Sequence, residues 1–114
     1  MDTAREIHWI SGARKEFDAF PLAAKTEAAR ALSVAATGNK ADNAKPLKGF
    51  SEGVFEIVLR HRGEAYRVVY ALKLGPDIWV LHAFQKKSTH GIKTPLREID
   101  LIRERIKRLK EILK

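Results

Sequence analysis

Basic side chains and one histidine lie within or directly after three successive strand-like segments. Arg60 ends the first segment and Arg67 lies inside the second. Lys86, Lys87 and His90 follow the third. Arginine can hold a phosphate with two parallel hydrogen bonds, lysine adds a point charge, and imidazole can move a proton near neutral pH. If the strands pair in order, these side chains gather over one end of a sheet. There they could bind a phosphate and stabilise the charge that develops on it during cleavage.

The segments that must position these residues are predicted strands. Residues 54–60, 65–73 and 78–84 are rich in apolar, β-branched and aromatic residues, as strands are. Short turns, HRGE at 61–64 and LGPD at 74–77, separate them. Turns this short indicate an antiparallel meander.

Alternation along the last strand places His82 and Phe84 on the same face as Ile78 and Val80. Because its neighbours are apolar, His82 is interpreted as a hydrogen-bonded histidine of the sheet rather than a catalytic group. Arg67 allows two interpretations, since it could be exposed and paired with Glu56 on the preceding strand, or it could meet a ligand. No pair of histidines has the spacing of metal ligands, so no metal site and no cofactor is predicted.

The N-terminal part predicts a strand followed by a helical hairpin. Residues 5–10 form the strand, and a short helix capped by Ser11 extends to residue 20. Residues 22–36 form an alanine-rich helix that Gly38 ends. Residues 38–53 are a loop by composition.

The C-terminal segment predicts an amphipathic helix that Thr94 caps and Pro95 begins. Its apolar stripe consists of Ile99, Ile102, Ile106, Leu109 and Leu113. The element order is then β-α-α-β-β-β-α, an α+β fold with a small twisted antiparallel sheet. We expect the helices to cover one face of this sheet and to leave the other available.

Composition limits the function. The chain has 114 residues, 22 Lys and Arg against 14 Asp and Glu, and a net charge of +8. We therefore expect a single domain over residues 1–114. The charge favours a polyanionic partner such as nucleic acid, although it could also serve solubility alone. No cysteine is present, which excludes disulfides and thiolate chemistry. The N-terminus lacks the layout of a signal peptide, so the expected compartment is the cytoplasm.

Three motifs stand in order along the chain: LKGF at 47–50, YRVVY at 66–70 and LHAFQKKS at 81–88. Together they resemble the RelE/ParE superfamily of bacterial toxins, closest to its phage-derived Gp49-like, HigB-type branch. The resemblance implies a small twisted sheet packed against helices. It also implies the toxin of a type II toxin–antitoxin system that cleaves mRNA on the ribosome without a metal ion. In that reaction the RNA 2′-hydroxyl attacks the adjacent phosphate and the 5′-hydroxyl leaves.

The same resemblance assigns roles to individual residues. Arg67 is similar to the family's central strand arginine and would hold the scissile phosphate. Lys87, supported by Lys86, would neutralise the transition state or the leaving group. His90 lies near the place of a late tyrosine that this chain lacks, and could act as base or acid. The residues expected to bind RNA are Arg60, Lys45 and Lys48.

The chain also departs from the RelE pattern. It has Glu56 and Val58 on a strand where RelE-like toxins carry lysines. Two alternatives therefore remain: a non-enzymatic, ParE-like inhibitor of DNA gyrase, and an inactive phage-derived binding module. In the toxin interpretations the partner is a cognate antitoxin, often a helix-turn-helix protein.

Overall fold

The computed structural model describes residues 4–86 and 93–114, and its strands form one five-stranded sheet in the order β1-β5-β4-β3-β2. The strands are β1 (Ile7–Trp9), β2 (Ala44–Pro46), β3 (Val54–His61), β4 (Glu64–Ala71) and β5 (Ile78–Lys86). The helices are α1 (Ser11–Asp18), α2 (Leu22–Ala36) and α3 (Leu96–Ile112). The predicted α+β class, with its helical hairpin and C-terminal helix, is confirmed.

The strands β3, β4 and β5 form the predicted antiparallel meander. His61 pairs with Glu64, so the loop between β3 and β4 contains only Arg62 and Gly63. Both have a positive φ, 52° and 79°, as a type I′ turn requires. This turn sets the register and decides which side chains of β3 and β4 lie opposite one another.

Two short edge strands make the sheet mixed rather than antiparallel throughout. β1 pairs with β5 in parallel, which the long connection between them allows. β2 pairs with β3 and lies inside residues 38–53, which were predicted as loop. Three residues are too few to show a period of two. Pro46 is tolerated there because β2 is an edge strand.

The hairpin of α1 and α2 packs on one face of the sheet. The α2 residues in this core include Ala24, Ala28, Ala31 and Ala35, which recur at steps of three and four and are buried. With side chains this small, the backbone of α2 can lie close to the sheet. The alanine-rich composition of α2 therefore serves packing as well as helix propensity.

α3 covers the opposite face, so the expectation that one face of the sheet stays available is wrong. Ile102, Ile106 and Leu109 of the predicted apolar stripe are buried and pack with Val69 in a second core. An amphipathic helix must cover its apolar stripe, and the α1–α2 hairpin already occupies the first face. Leu113, at the end of the stripe, is exposed.

The helix ends differ from the predicted caps. Ile10 and Pro95 hold the N-cap positions of α1 and α3, and neither makes a side-chain capping bond. Ser11 is instead the first residue of α1, and the Thr94 hydroxyl binds elsewhere. Gly38 ends α2 as predicted, with a φ of 91°. In the described parts of the chain, no helix is long and apolar enough to cross a membrane.

Replacing Ile102 by alanine tests the packing of α3 on the sheet. Ile102 is fully buried, so Ile102→Ala should lower the free energy of unfolding by about 2–5 kcal/mol through lost burial and a cavity. The matched control is Ile112→Ala, whose side chain is 77% exposed, and we expect a change within about 0.5 kcal/mol. Urea unfolding followed by circular dichroism measures both. Equal losses in the two variants would show that α3 does not pack as described.

Candidate functional site

A β-bulge in β5 decides which side chains share a face of the sheet. Leu81 is an extra residue without a partner on β4, and beyond it the alternation reverses. His82 and Phe84 therefore lie on the face opposite to Ile78 and Val80. The assignment from strict alternation, which placed these four residues together, is wrong because periodicity does not reveal an inserted residue.

The reversal brings Lys86 onto the face that carries Arg67. Arg67 pairs with Phe84, and Ala65 pairs with Lys86 on one side and Arg60 on the other. Cross-strand partners share a face of the sheet. The strands thus bring Arg60, Arg67 and Lys86 together near one end of the sheet.

Lys45 on β2 adds a fourth cation to this face. It pairs with Glu56, and Glu56 is two residues from Val58, the partner of Arg67 on β3. Residues two apart on a strand point to the same side. We refer to Lys45, Arg60, Arg67 and Lys86 as the basic cluster.

A buried ion pair lies at the centre of the cluster. The Glu56 side chain is fully buried and that of Arg67 is 4% exposed. Arg67 Nη1 donates to Glu56 Oε1 at 2.7 Å, and the Thr94 hydroxyl donates to Glu56 Oε2 at 2.6 Å. Arg67 is therefore paired with Glu56, as one interpretation expected, but it is buried rather than exposed. Thr94 links the chain just before α3 to β3 instead of capping the helix.

Lys86 is buried beside Arg67 at the end of β5. Burial, followed by the positive charge of Arg67, lowers the pKa of the Lys86 ammonium, while Glu56 acts in the opposite direction. Lys45 lowers this pKa further. The Glu56 carboxylate therefore offsets part of the repulsion among these cations.

An open groove of about 440 Å³ lies next to the buried ion pair. Its lining includes Lys45, Lys48, Glu56, Lys93 and Thr94. We call it the basic groove. Lys45 and Lys48 thus line the same groove, and their role in binding RNA stays a prediction. Lys93 was not predicted. Its only sequence signal was its position directly before Thr94 and Pro95, where a helix was predicted to begin.

Two of the predicted catalytic residues, Lys87 and His90, lie outside the described residues. Lys86 precedes this segment at the basic cluster, and Lys93 follows it in the basic groove. The roles of Lys87 and His90 stay predictions.

A protein-family model matches residues 15–107, and its description is phage derived protein Gp49-like (DUF891). The chain belongs to this Gp49-like family. The match spans every member of the basic cluster and the start of α3. Among solved structures, a chain of the toxin–antitoxin complex RelBE2 from Mycobacterium tuberculosis is similar, with 18% identity and a TM-score of 0.43. The similarity covers 77% of this chain and 98% of that one. No curated protein matches the sequence.

In this Gp49-like protein a second polar network joins α1, β5 and α3. His82 is buried, as predicted, with Nδ1 at 3.0 Å from Glu16 Oε1 and Nε2 at 2.7 Å from Glu98 Oε1. Arg105 donates to both carboxylate oxygens of Glu16, at 2.9 and 3.0 Å. Because its contacts are with these three side chains and the Phe84 ring, His82 holds the layers together.

Near the β1 edge, Glu6, His8 and Asp77 are, among the described residues, a group whose side-chain atoms are close enough to hold a metal ion. His8 Nε2 lies 2.9 Å from Asp77 Oδ2, and its ring packs at a tilt of 31° against Trp79, with centroids 4.9 Å apart. These contacts fix β1 against β5 and give His8 a structural role. The sequence spacing could not show this group, because Asp77 comes from a distant turn.

The carboxyl of Glu16 makes the stability of the Gp49-like fold depend on pH. Burial would raise its pKa, but hydrogen bonds from His82 and Arg105 outweigh burial and lower the pKa from 4.5 to about 2. A carboxylate with a lowered pKa stabilises the fold above its unfolded-state value. Its contribution is therefore full above about pH 4.5 and is lost as the pH falls towards about 2.

Replacing Glu16 by glutamine tests this dependence. Glu16→Gln should lower the free energy of unfolding at pH 7 by about 1–3 kcal/mol, since hydrogen bonds to a charged group are lost. It should also reduce the loss of stability between pH 5 and pH 3, measured by urea unfolding at each pH. Glu104→Gln, in an exposed pair with Arg108, is the control. An unchanged pH slope in Glu16→Gln would contradict the network.

Proposed function

We propose that this Gp49-like protein is the toxin of a type II toxin–antitoxin system and cleaves mRNA on the ribosome without a metal ion. The observation that carries the proposal is the basic cluster, since four cations from four strands share one face beside an open groove. An array of this kind suits a phosphodiester, whose charge increases during cleavage. The family motifs YRVVY and LHAFQKKS contribute two of the four, Arg67 and Lys86.

In the proposed reaction the 2′-hydroxyl of one nucleotide loses its proton and attacks the adjacent phosphorus. The bond from phosphorus to the 5′-oxygen of the next nucleotide breaks, and that oxygen takes up a proton as it leaves. Arg67, Lys86 and Lys87 would stabilise the negative charge on the phosphate oxygens. His90 would transfer the proton. Arg60, Lys45 and Lys48 would bind neighbouring phosphates.

The proposal extends to the organisation and partners of the protein. Residues 1–114 would act as one toxin domain in the cytoplasm. A cognate antitoxin, expected to be a helix-turn-helix protein, would keep the toxin inactive. A short reading frame of that type beside the gene would support this pairing.

Cleavage in translated codons is the first test. On induction of the protein in bacteria, primer extension on cellular mRNA should show new 5′ ends within translated codons. Purified protein should cut mRNA bound to ribosomes at least about 100-fold faster than the same RNA alone, because the ribosome would position the codon against the basic cluster. A DNA-damage response without RNA cuts would instead identify a gyrase inhibitor. Cuts at equal rates with and without ribosomes would contradict ribosome dependence.

Removing the buried ion pair tests the site itself. Arg67→Gln alone leaves the Glu56 charge buried and unpaired, which costs about 3–5 kcal/mol of stability. A loss of activity in that variant could then come from unfolding rather than from the missing arginine. The double variant Glu56→Gln and Arg67→Gln removes both charges and keeps the side-chain volumes similar. It should fold and lose at least about 100-fold in cleavage rate.

Three further variants complete that experiment. Arg30→Gln removes an exposed charge of α2 on the other side of the sheet and should cleave like wild type. Lys87→Ala and His90→Ala test the two residues that only the sequence assigns. A folded double variant with wild-type cleavage would remove Arg67 from the mechanism.

A further inference from the structure

A second groove runs along α3 and is not explained by the basic cluster. It has a volume of about 620 Å³ and lies between residues 49–52 and one side of α3. Arg103, Lys107 and Lys110 line it, and all three are exposed. The three cations therefore face the same groove rather than being scattered over the solvated side of the helix.

The spacing of the lining residues along α3 places this groove and the basic groove end to end. We refer to the two grooves together as the track. Ile99 lines the basic groove, and Arg103, Lys107 and Lys110 follow it at four, eight and eleven residues. These steps place all four residues on one side of α3. The opposite walls are also consecutive, since Lys48 ends one groove and Gly49 begins the other. From residue 99 to residue 110 the track is roughly 16 Å long.

Two cations of this track, Arg103 and Lys110, are held in place by the 49–52 segment. The Arg103 guanidinium lies over the Phe50 ring, 4.6 Å from its centroid, and Nη1 donates to the Gly49 carbonyl at 3.1 Å. Gly49 has a φ of 92°, and a Cβ there would lie 3.5 Å from Arg103 Nη2. Lys110 donates to Glu52, which lowers the pKa of that carboxyl. A preformed row of donors loses little side-chain entropy on binding an anion.

We propose that this track binds the backbone of single-stranded RNA on one side of the scissile phosphate. The inference rests on the proposed function, because it takes the basic cluster as the place of cleavage. A stacked strand advances about 3.4 Å per nucleotide, so the track spans about five nucleotides. Evenly spaced exposed cations in an open groove fit a phosphate backbone. An acidic protein segment would also meet positive charge there, and the control variant below separates the two.

The test is the salt dependence of RNA binding. A fluorescently labelled single-stranded RNA of ten nucleotides is titrated with the full chain at several salt concentrations between 50 and 200 mM. Arg103→Ala and Lys107→Ala should each weaken binding about fivefold at the lowest salt. Each should also reduce the slope of log K against log salt by about 0.7, the value for one lost phosphate contact with a single strand.

Arg108→Ala is the matched control. Arg108 is on the same helix and is exposed, but it points to the other side and pairs with Glu104 at 3.3 Å. It should leave both the affinity and the slope close to wild type. If Arg103→Ala, Lys107→Ala and Arg108→Ala behave alike, the track does not bind RNA, and an acidic protein becomes the better candidate for this groove.

The outcomes also separate this inference from the proposed nuclease. Loss of cleavage in the Glu56 and Arg67 double variant, with wild-type binding in Arg103→Ala and Lys107→Ala, would overturn the track and leave the nuclease standing. RNA binding that depends on Arg103 and Lys107, in a protein that cuts no RNA, would support the track and overturn the nuclease.

Discussion

The ion pair between Glu56 and Arg67 is the contact on which the basic cluster depends. The two charges lie on neighbouring strands and are buried under the start of α3. Either charge alone would be strongly destabilising there, so the pair must form whenever the sheet does. The Thr94 hydroxyl satisfies the second carboxylate oxygen and attaches the chain before α3 to the same point. Glu56 departs from the RelE pattern in the sequence. In the structure it is the carboxylate that positions Arg67.

A second polar contact holds α3 further along its length. Glu16, His82 and Arg105 join α1, β5 and α3, and the apolar stripe of α3 packs on the sheet beside them. With α3 attached at these places, the groove along its side has fixed walls. The geometry of both grooves therefore follows from the places at which α3 and the chain just before it are attached to the sheet and to α1.

The elements could be predicted because each one shows its period locally. The residues of α2, the meander and the buried stripe of α3 were all visible in the spacing of apolar residues. The strand β2 was missed because three residues show no period, and the role of Thr94 was missed because its partner is 38 residues away. Lys93 and the groove of Arg103 were missed for a related reason. The position of a single cation in the sequence does not indicate which distant segment lies opposite it in the structure.

The sequence by itself determined the class of fold, the order of the strands along the chain and the residue types available for phosphate chemistry. These depend on local periodicity, turn residues and charge, which every segment carries within itself. Only the tertiary structure decided which face Lys86 occupies, that Arg67 is buried against Glu56, and that both faces of the sheet are covered. Those results depend on one extra residue in β5 and on contacts between distant segments. Hydrophobic periodicity and secondary-structure propensity are local and do not reveal either of them.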